Sequence, residues 1–563
     1  PTNLVASDKM VDSPTNNFAI FNPLIGNTGS GAQASYVDFS EGNLKAVGNY
    51  GSETGLAPGT FSFGTGKWYV EFVATSLSGA YPHLGIIETT SSTTQGGYVA
   101  NSVMYKADGG IVEDSTSTGG WGDSWVAGDV IGMAIDCTNG AVYFAKNNTW
   151  QDSGVPTSGA TKTGAALTWT GESIDFVTTT SPYTSSAGVV MNCGQDSSFA
   201  GNKTAQGNQD GNEVGDFYYE PPSGYLALCT SNLPDPEIAL PGENFNIILR
   251  DGTYPSGGSF TGVGFQPDLL WQKPRNLADS HYLTDSVRGV SKIIKPDTIG
   301  LEQTDTTWVT SFDSDGFTMG ATDWETSTTV VDWNWKAGGA VSTPSANAEA
   351  GFSIATGTGT GSQVATNHGL GVTPEVVIWK NLSADSHWFF WWSGFSNLTS
   401  YTLFLETSAA ITTTGFGSVF GTINATSASI LTGGVTSGIG SGDDFVMYSF
   451  ASIEGYSKIS SYEGNGDADG PFIYCGFRPA FFMIKRTNAI NDWIMFDSAR
   501  IGYNVENYQL YPNTSAVEDT TDMLDFDSNG VKIIGTGNNI NNATSTYLFY
   551  AVAEYPFKYA PAR

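Results

Sequence analysis

Three stretches of the chain repeat one arrangement of glycine, proline and apolar positions. GFQPDLLWQK (264–273), GVTPEVVIWK (371–380) and GFRPAFFMIK (476–485) each open on a Gly and place a Pro three residues later. An apolar run follows, and a Lys closes it six residues past the Pro. The prolines, Pro267, Pro374 and Pro479, stand 107 and then 105 residues apart. That spacing is too long for solenoid repeats of roughly 20–50 residues and suits a domain of about 100 residues. Further stretches keep step with it. The first strands align as FNIILRDG, FSIATGTG and YSKISSYEG, and the last as VDWNWKA, FVMYSFA and YLFYAVA. Asp285 and Asp497 both lie 18 residues past their proline, and FDSDGF (312–317) and FDSNGV (526–531) correspond. The pattern predicts tandem units at 244–349, 350–454 and 455–563, each a β-sandwich of short strands joined by turns.

The first part of the chain reads differently. GKWYVEFVA (66–74) alternates around Trp68, Val70 and Phe72, as a half-buried strand does. HLGII (83–87) and GGYVA (96–100) read as further strands. VIGMAID and AVYFAK flank Cys137-Thr138-Asn139-Gly140, and Asn-Gly between apolar runs is a strong hairpin signal. These elements predict a sandwich over 43–229. An irregular leader (1–42), a candidate anchor, precedes it, and a proline-rich linker (230–243) follows. No stretch has a helical period, so the fold class is all-β.

GKWYVEF, HLGII and GDVIGMAIDCTNGAVYFAKNN resemble a SPRY domain, a lectin-like β-sandwich, with long Gly- and Ser-rich insertions that depart from its pattern. The repeats, GNGDADGPFIYCGFRPAFFMIKRT (464–487) and the ending YLFYAVAEYPFKYAPAR resemble virion proteins of tailed bacteriophages, usually tail fibre or other structural components. That resemblance implies a non-enzymatic tail fibre or appendage in the virion, contacting a host-surface glycan or receptor beside other virion proteins. It supplies no catalytic residues. A head fibre or capsid decoration protein, a polysaccharide depolymerase and a cellular adhesin are the alternatives. A homotrimer would suit a fibre, although no heptad or collagen-like repeat appears.

Composition narrows the partners. The formal charge of −32, with no basic patch, argues against nucleic acid. No secretory signal or membrane-spanning run is present, and Pro1 fits a product that has lost its initiator Met; a chain of this build points to a particle released by lysis. Cys137, Cys193, Cys229 and Cys475 have no zinc-site spacing. Cys137 reads as a buried strand thiol, and Cys193 and Cys229 pair only if the fold brings them together.

Candidate chemistry is sparse. Asp525, Asp527 and Asn529 match the start of a calcium loop, but Thr536 stands where the closing Glu belongs, so a tight turn is the stronger reading and structural Ca2+ the weaker. No cofactor is otherwise implied. Asp-Ser-His occurs at 279–281 and 385–387 in matching sequence positions. Neighbours in a strand point to opposite faces, so the trio is expected to be structural rather than a catalytic triad. Trp121 and Trp125, and Trp388 and Trp391 of the run WFFWW, are candidates for stacking on a glycan, with core or interface packing the stronger alternative.

Overall fold

A computed structural model describes residues 16–24, 37–49, 55–79, 81–88, 101–170, 174–182, 187–339, 343–412, 419–432, 438–501 and 503–560. The predicted strand at 96–100 lies outside these. The chain is all-β and divides into two compact units, Pro1–Pro234 and Asp235–Arg563.

The first unit is built from two antiparallel-dominated sheets. One places Gly188–Asn192, Lys67–Ser76, Val130–Asp136 and Ala141–Lys146 side by side; the other centres on Phe176–Ser181, His83–Glu88 and Val103–Lys106. Thr178 donates to the Met191 sulfur at 3.5 Å, and Tyr105 packs on Phe144 at 5.5 Å, so the sheets face one another. The predicted hairpin forms, with Asp136 opposite Ala141 and Gly140 at φ +73°. Cys137 lies in its turn, half-buried, because the strand ends at Asp136. All four cysteines are free thiols. The sandwich starts before residue 43. Phe18 and Phe21 of the expected leader are buried, bridging to Cys229 and Gly59, and Val37–Ser40 pairs with Lys45–Gly48. Aromatic rings of this kind gain too much by burial to remain in a loose leader.

In the second unit one strand order occurs three times. The first span has β1 (Phe245–Asp251), β2 (Leu269–Pro274), β3 (Tyr282–Asp285) and β4 (Thr329–Trp335), ordered β1-β4-β2-β3. The second has β5 (Phe352–Thr358), β6 (Val376–Asn381), β7 (Trp388–Trp392) and β8 (Asp444–Phe450), ordered β5-β8-β6-β7 with a short strand added at each edge. The third has β9 (Ser457–Glu463), β10 (Phe477–Arg486), β11 (Trp493–Asp497) and β12 (Thr546–Pro556), ordered β9-β12-β10-β11. A smaller antiparallel sheet accompanies each.

The glycine that opens each repeated stretch has a physical role. Gly264, Gly371 and Gly476 stand at φ +87°, +74° and +82°, a region that costs other residues a Cβ clash. Past the proline, alternation sends side chains to opposite faces of the sheet. In β2, Leu270 joins the cluster with Val309 and Phe317 of the small sheet, while Leu269 and Trp271 face the other way. In β10, Phe482 and Ile484 face the small sheet and Phe481 and Met483 the opposite side. Those opposite faces do not meet solvent. Residues of β2, β4, β6, β8, β10 and β12 belong to one shared hydrophobic cluster, so the three spans pack on a common core. At its centre lies a cavity of about 30 Å³, lined among others by Trp271, Trp335, Ile378, Phe450, Met483 and Tyr550.

Candidate functional site

Burial decides the fate of most sequence candidates. Trp388 and Trp391, 0% and 3% exposed, are core residues whose indole N–H groups donate to carbonyls of Lys295 and Thr298 (both 3.1 Å) and of Leu398 (2.9 Å). Neither offers a stacking face. Trp125 is likewise buried beside Tyr105. Trp121 is only half-buried, edge-on to Tyr105 and Phe144, and keeps part of its ring accessible. Asp525 and Asp527 end the strand Asp519–Asp527, and Asn529 lies in the turn to Gly530–Ile533. The Asn529 carbonyl accepts from the N–H groups of Cys475 and Gly476, and Lys532 pairs across the ladder with Asp525. Burial raises Asp527 to about 6. Among the described residues no group of three His, Cys, Asp or Glu side chains is arranged to hold a metal. The geometry is that of a turn, as in the first span, where Asp315 accepts from Gly262 and Gly264 N–H at 3.1 and 2.7 Å.

The two Asp-Ser-His stretches part company. Lys380 lies opposite Trp388 in the ladder, and Lys485 opposite Trp493. The same register, continued from Gln272 opposite Tyr282, places His281 with Trp388 and Trp493 rather than with His387. The hairpin has the same length in all three spans, since His281, Trp388 and Trp493 each stand 14 residues past their proline, and the Asp-Ser-His stretch lies one residue further along in the first span than in the second. His281 is fully buried: Nδ1 accepts from the Trp271 indole at 3.0 Å, and Nε2 donates to the Tyr511 carbonyl at 3.0 Å. Burial holds it well below the usual histidine range. His387 is part-exposed and pairs with Glu406. The two ring nitrogens of His281 are thus taken by Trp271 and Tyr511 and not by Asp279 or Ser280.

The structure brings together a set that motif reading missed. Lys273, Lys380 and Lys485, six residues past their prolines, are all fully buried, and each ammonium reaches into the next span. Lys273 donates to the Asp279 carbonyl at 2.8 Å and the Ser515 carbonyl at 3.4 Å. Lys380 donates to Asn381 (2.9 Å) and Ile299 (3.1 Å), and Lys485 to Asn491 (2.6 Å) and Ser408 (3.2 Å). Burial lowers them to about 8, 8 and 7. The direction is constant: first span to third, second to first, third to second. His281, Trp388 and Trp493 follow it, with Trp493 donating to the Phe404 carbonyl at 3.1 Å. So do three backbone bonds, Glu518 N–H to Arg275 carbonyl (2.8 Å), Glu302 to Leu382 (3.1 Å) and Ile411 to Thr487 (2.9 Å). Each acceptor stands eight residues past its proline. The three spans close a ring by three equivalent interfaces.

Polar groups seal two of these. At one, Asp285 takes Arg288 Nε at 2.5 Å and the hydroxyl of Tyr448 at 2.7 Å. At another, Asp497 takes Arg500 Nε at 2.6 Å and the Trp333 indole at 2.9 Å. Trp333 and Tyr448 hold the same ladder position, opposite Trp271 and Ile378. At the third interface the Asp and Arg positions are Trp392 and Phe395, packed edge to face at 5.7 Å. A cleft of about 410 Å³ opens at the first interface, lined by Arg288, Glu302, Thr356, Gly357, Thr358, Leu382 and Asp444. That volume lies within the range of small-ligand sites.

The first unit has its own buried carboxylate. Glu71 accepts from Tyr218 and Tyr219 N–H (both 2.8 Å), from the Tyr69 hydroxyl and from Asn192 (both 3.2 Å). Burial raises it to about 7. Its bonds pin the end of the long Gly- and Asn-rich insertion to the sheet.

No curated protein matches the chain. Solved structures similar to it include a human SPRY domain (14% identity, 28% of this chain and 94% of that one, TM-score 0.21). The TRIM65 PSpry domain (15%, 31% and 92%, 0.23) and the SPRY domain of human HERC1 (11%, 32% and 96%, 0.22) are others. A family model described as Domain of unknown function (DUF7483) matches residues 240–556. That match takes in the three ring-forming spans and more than half of the sequence, and the chain belongs to this DUF7483 family.

Proposed function

We propose that the chain is a virion structural protein of a tailed bacteriophage, a tail fibre or related appendage that contacts the host cell surface by binding rather than by catalysis. The observation that carries this reading is the closed ring of the second unit. Its buried lysines, the Asp285–Arg288 and Asp497–Arg500 pairs and His281 are all committed to holding three spans together. Such an interior suits a rigid display element, with contact left to rim loops and, in the first unit, to the accessible part of Trp121. The sequence resemblance of 464–487 and of the C-terminal stretch supports the assignment to a phage particle. Gold-labelled antibody on intact particles tests it. Label at the tail is the expected result. Label over the capsid would replace the fibre with a decoration protein, and particles without label would overturn the reading.

A further inference from the structure

Among the described residues, Arg250, Arg275, Arg288, Arg478 and Arg500 each meet a carboxylate. Arg486 makes no ion pair with any of these residues, in a chain with 55 acidic side chains. It ends β10, seven residues past Pro479, where the other two spans hold Pro274 and Asn381. Its bonds go to amide oxygens instead: Nε to Asn488 Oδ1 at 3.3 Å, Nη1 to the Asn538 carbonyl at 3.5 Å and Nη2 to Asn542 Oδ1 at 3.0 Å. The carboxylate of Asp492, at the far end of the same hairpin loop, takes the Asn513 amide at 2.7 Å. Three of the five guanidinium N–H groups are thus used and two are left.

The groups beside it are donors as well. The Asn542 amide donates to Asn538 Oδ1 at 2.8 Å, and Asn542 Oδ1 also takes the Ser545 hydroxyl at 2.9 Å. The buried Tyr547 hydroxyl clasps the same loop, accepting from the Asn542 N–H and donating to the Asn538 carbonyl, both at 2.7 Å. The side-chain oxygens of Asn488, Asn538 and Asn542 are therefore occupied, while the amide N–H groups of Asn488 and Asn538 have no acceptor among the described residues. Asn488 and Asn539 are exposed, and so is Ile490 of the hairpin loop, at 75%. The corner presents a guanidinium and amide N–H groups whose own oxygens are already in use, beside one apolar side chain.

We propose that this corner binds the carboxylate of an acidic sugar in a host-surface glycan, an inference that rests on the host-contact reading above. An ionised carboxylate only accepts hydrogen bonds and meets a guanidinium with two of them. The amide N–H groups beside it suit ring hydroxyls, which an acidic amino-acid side chain lacks. Charges farther than about 8 Å are screened at physiological salt, so the net charge of −32 does not prevent the contact. The test is calorimetric titration of the full chain with D-glucuronate, D-galacturonate and N-acetylneuraminate. D-glucose and D-galactose are the uncharged counterparts, and N-acetylglutamate α-amide is a carboxylate without the ring. Saturable binding of at least one acidic sugar is expected, weakened at least about tenfold in R486Q and about threefold in N488A. Asn488 is on the surface, so N488A folds whatever becomes of R486Q. No saturable heat with any acidic sugar up to about 50 mM, equal binding of a neutral sugar, or wild-type affinity in either variant would overturn the proposal. Equal binding of the glutamate derivative would overturn it in favour of an acidic peptide. None of these outcomes bears on where antibody labels the particle, so the site can fail while the virion reading stands.

Discussion

Glu506 shows how much a single residue's setting matters in this fold. It is 1% exposed, its Oε1 has no hydrogen-bond partner, and burial together with nearby Asp497 raises it from 4.5 to about 8. The folded chain therefore keeps a proton that the unfolded chain releases between those values. Its contribution to stability is full below about 4.5 and is lost as pH rises through about 8. Glu506→Gln mimics the protonated form. The variant should flatten the decline in denaturation midpoint between pH 5 and 8, and gain on the order of 2 kcal/mol over wild type at pH 8. Parallel pH profiles for the two proteins would refute this. The ring lysines work with the opposite sign: their folded values lie below the ordinary 10.5, so their effect is a stability that rises as pH passes about 8.

Among elements, the Gly-x-x-Pro entry to β2, β6 and β10 is the most instructive. At Gly371 a Cβ would meet nothing within 4 Å, yet φ is +74°. The Gly371→Ala change should therefore cost only the backbone term, about 1 kcal/mol by urea denaturation. A neutral result would mean the backbone adapts. The buried tryptophan run of β7 is an element-scale lesson in the other direction. Alternation divides WFFWW between two faces. Because all five side chains of β7 are buried, neither face is left for a ligand.

On the scale of the whole molecule, sharing one core makes the three spans of the second unit interdependent. Differential scanning calorimetry should show 235–563 melting as one cooperative transition, with calorimetric and van't Hoff enthalpies equal, and not as three successive ones. A Trp493→Ala substitution, which removes the bond to the Phe404 carbonyl and a buried ring, should lower that whole transition. Separate melting of a span of about 105 residues would contradict the shared core.

What the sequence determined by itself is local and periodic. The all-β class, the Asn-Gly hairpin, the positions of the repeated strands and the turn at Asp525–Asn529 follow from side-chain alternation, glycine conformation and turn chemistry, all of which act over a few residues. The buried lysines were equally visible in the repeats, but a Lys at the end of an apolar strand looks solvated until a neighbour's carbonyl is known to cover it. Tertiary structure alone decided that Phe18 and Phe21 complete the first unit and that three spans share a core. Those outcomes depend on which residues, far apart in sequence, meet across sheets, and no local pattern encodes that pairing.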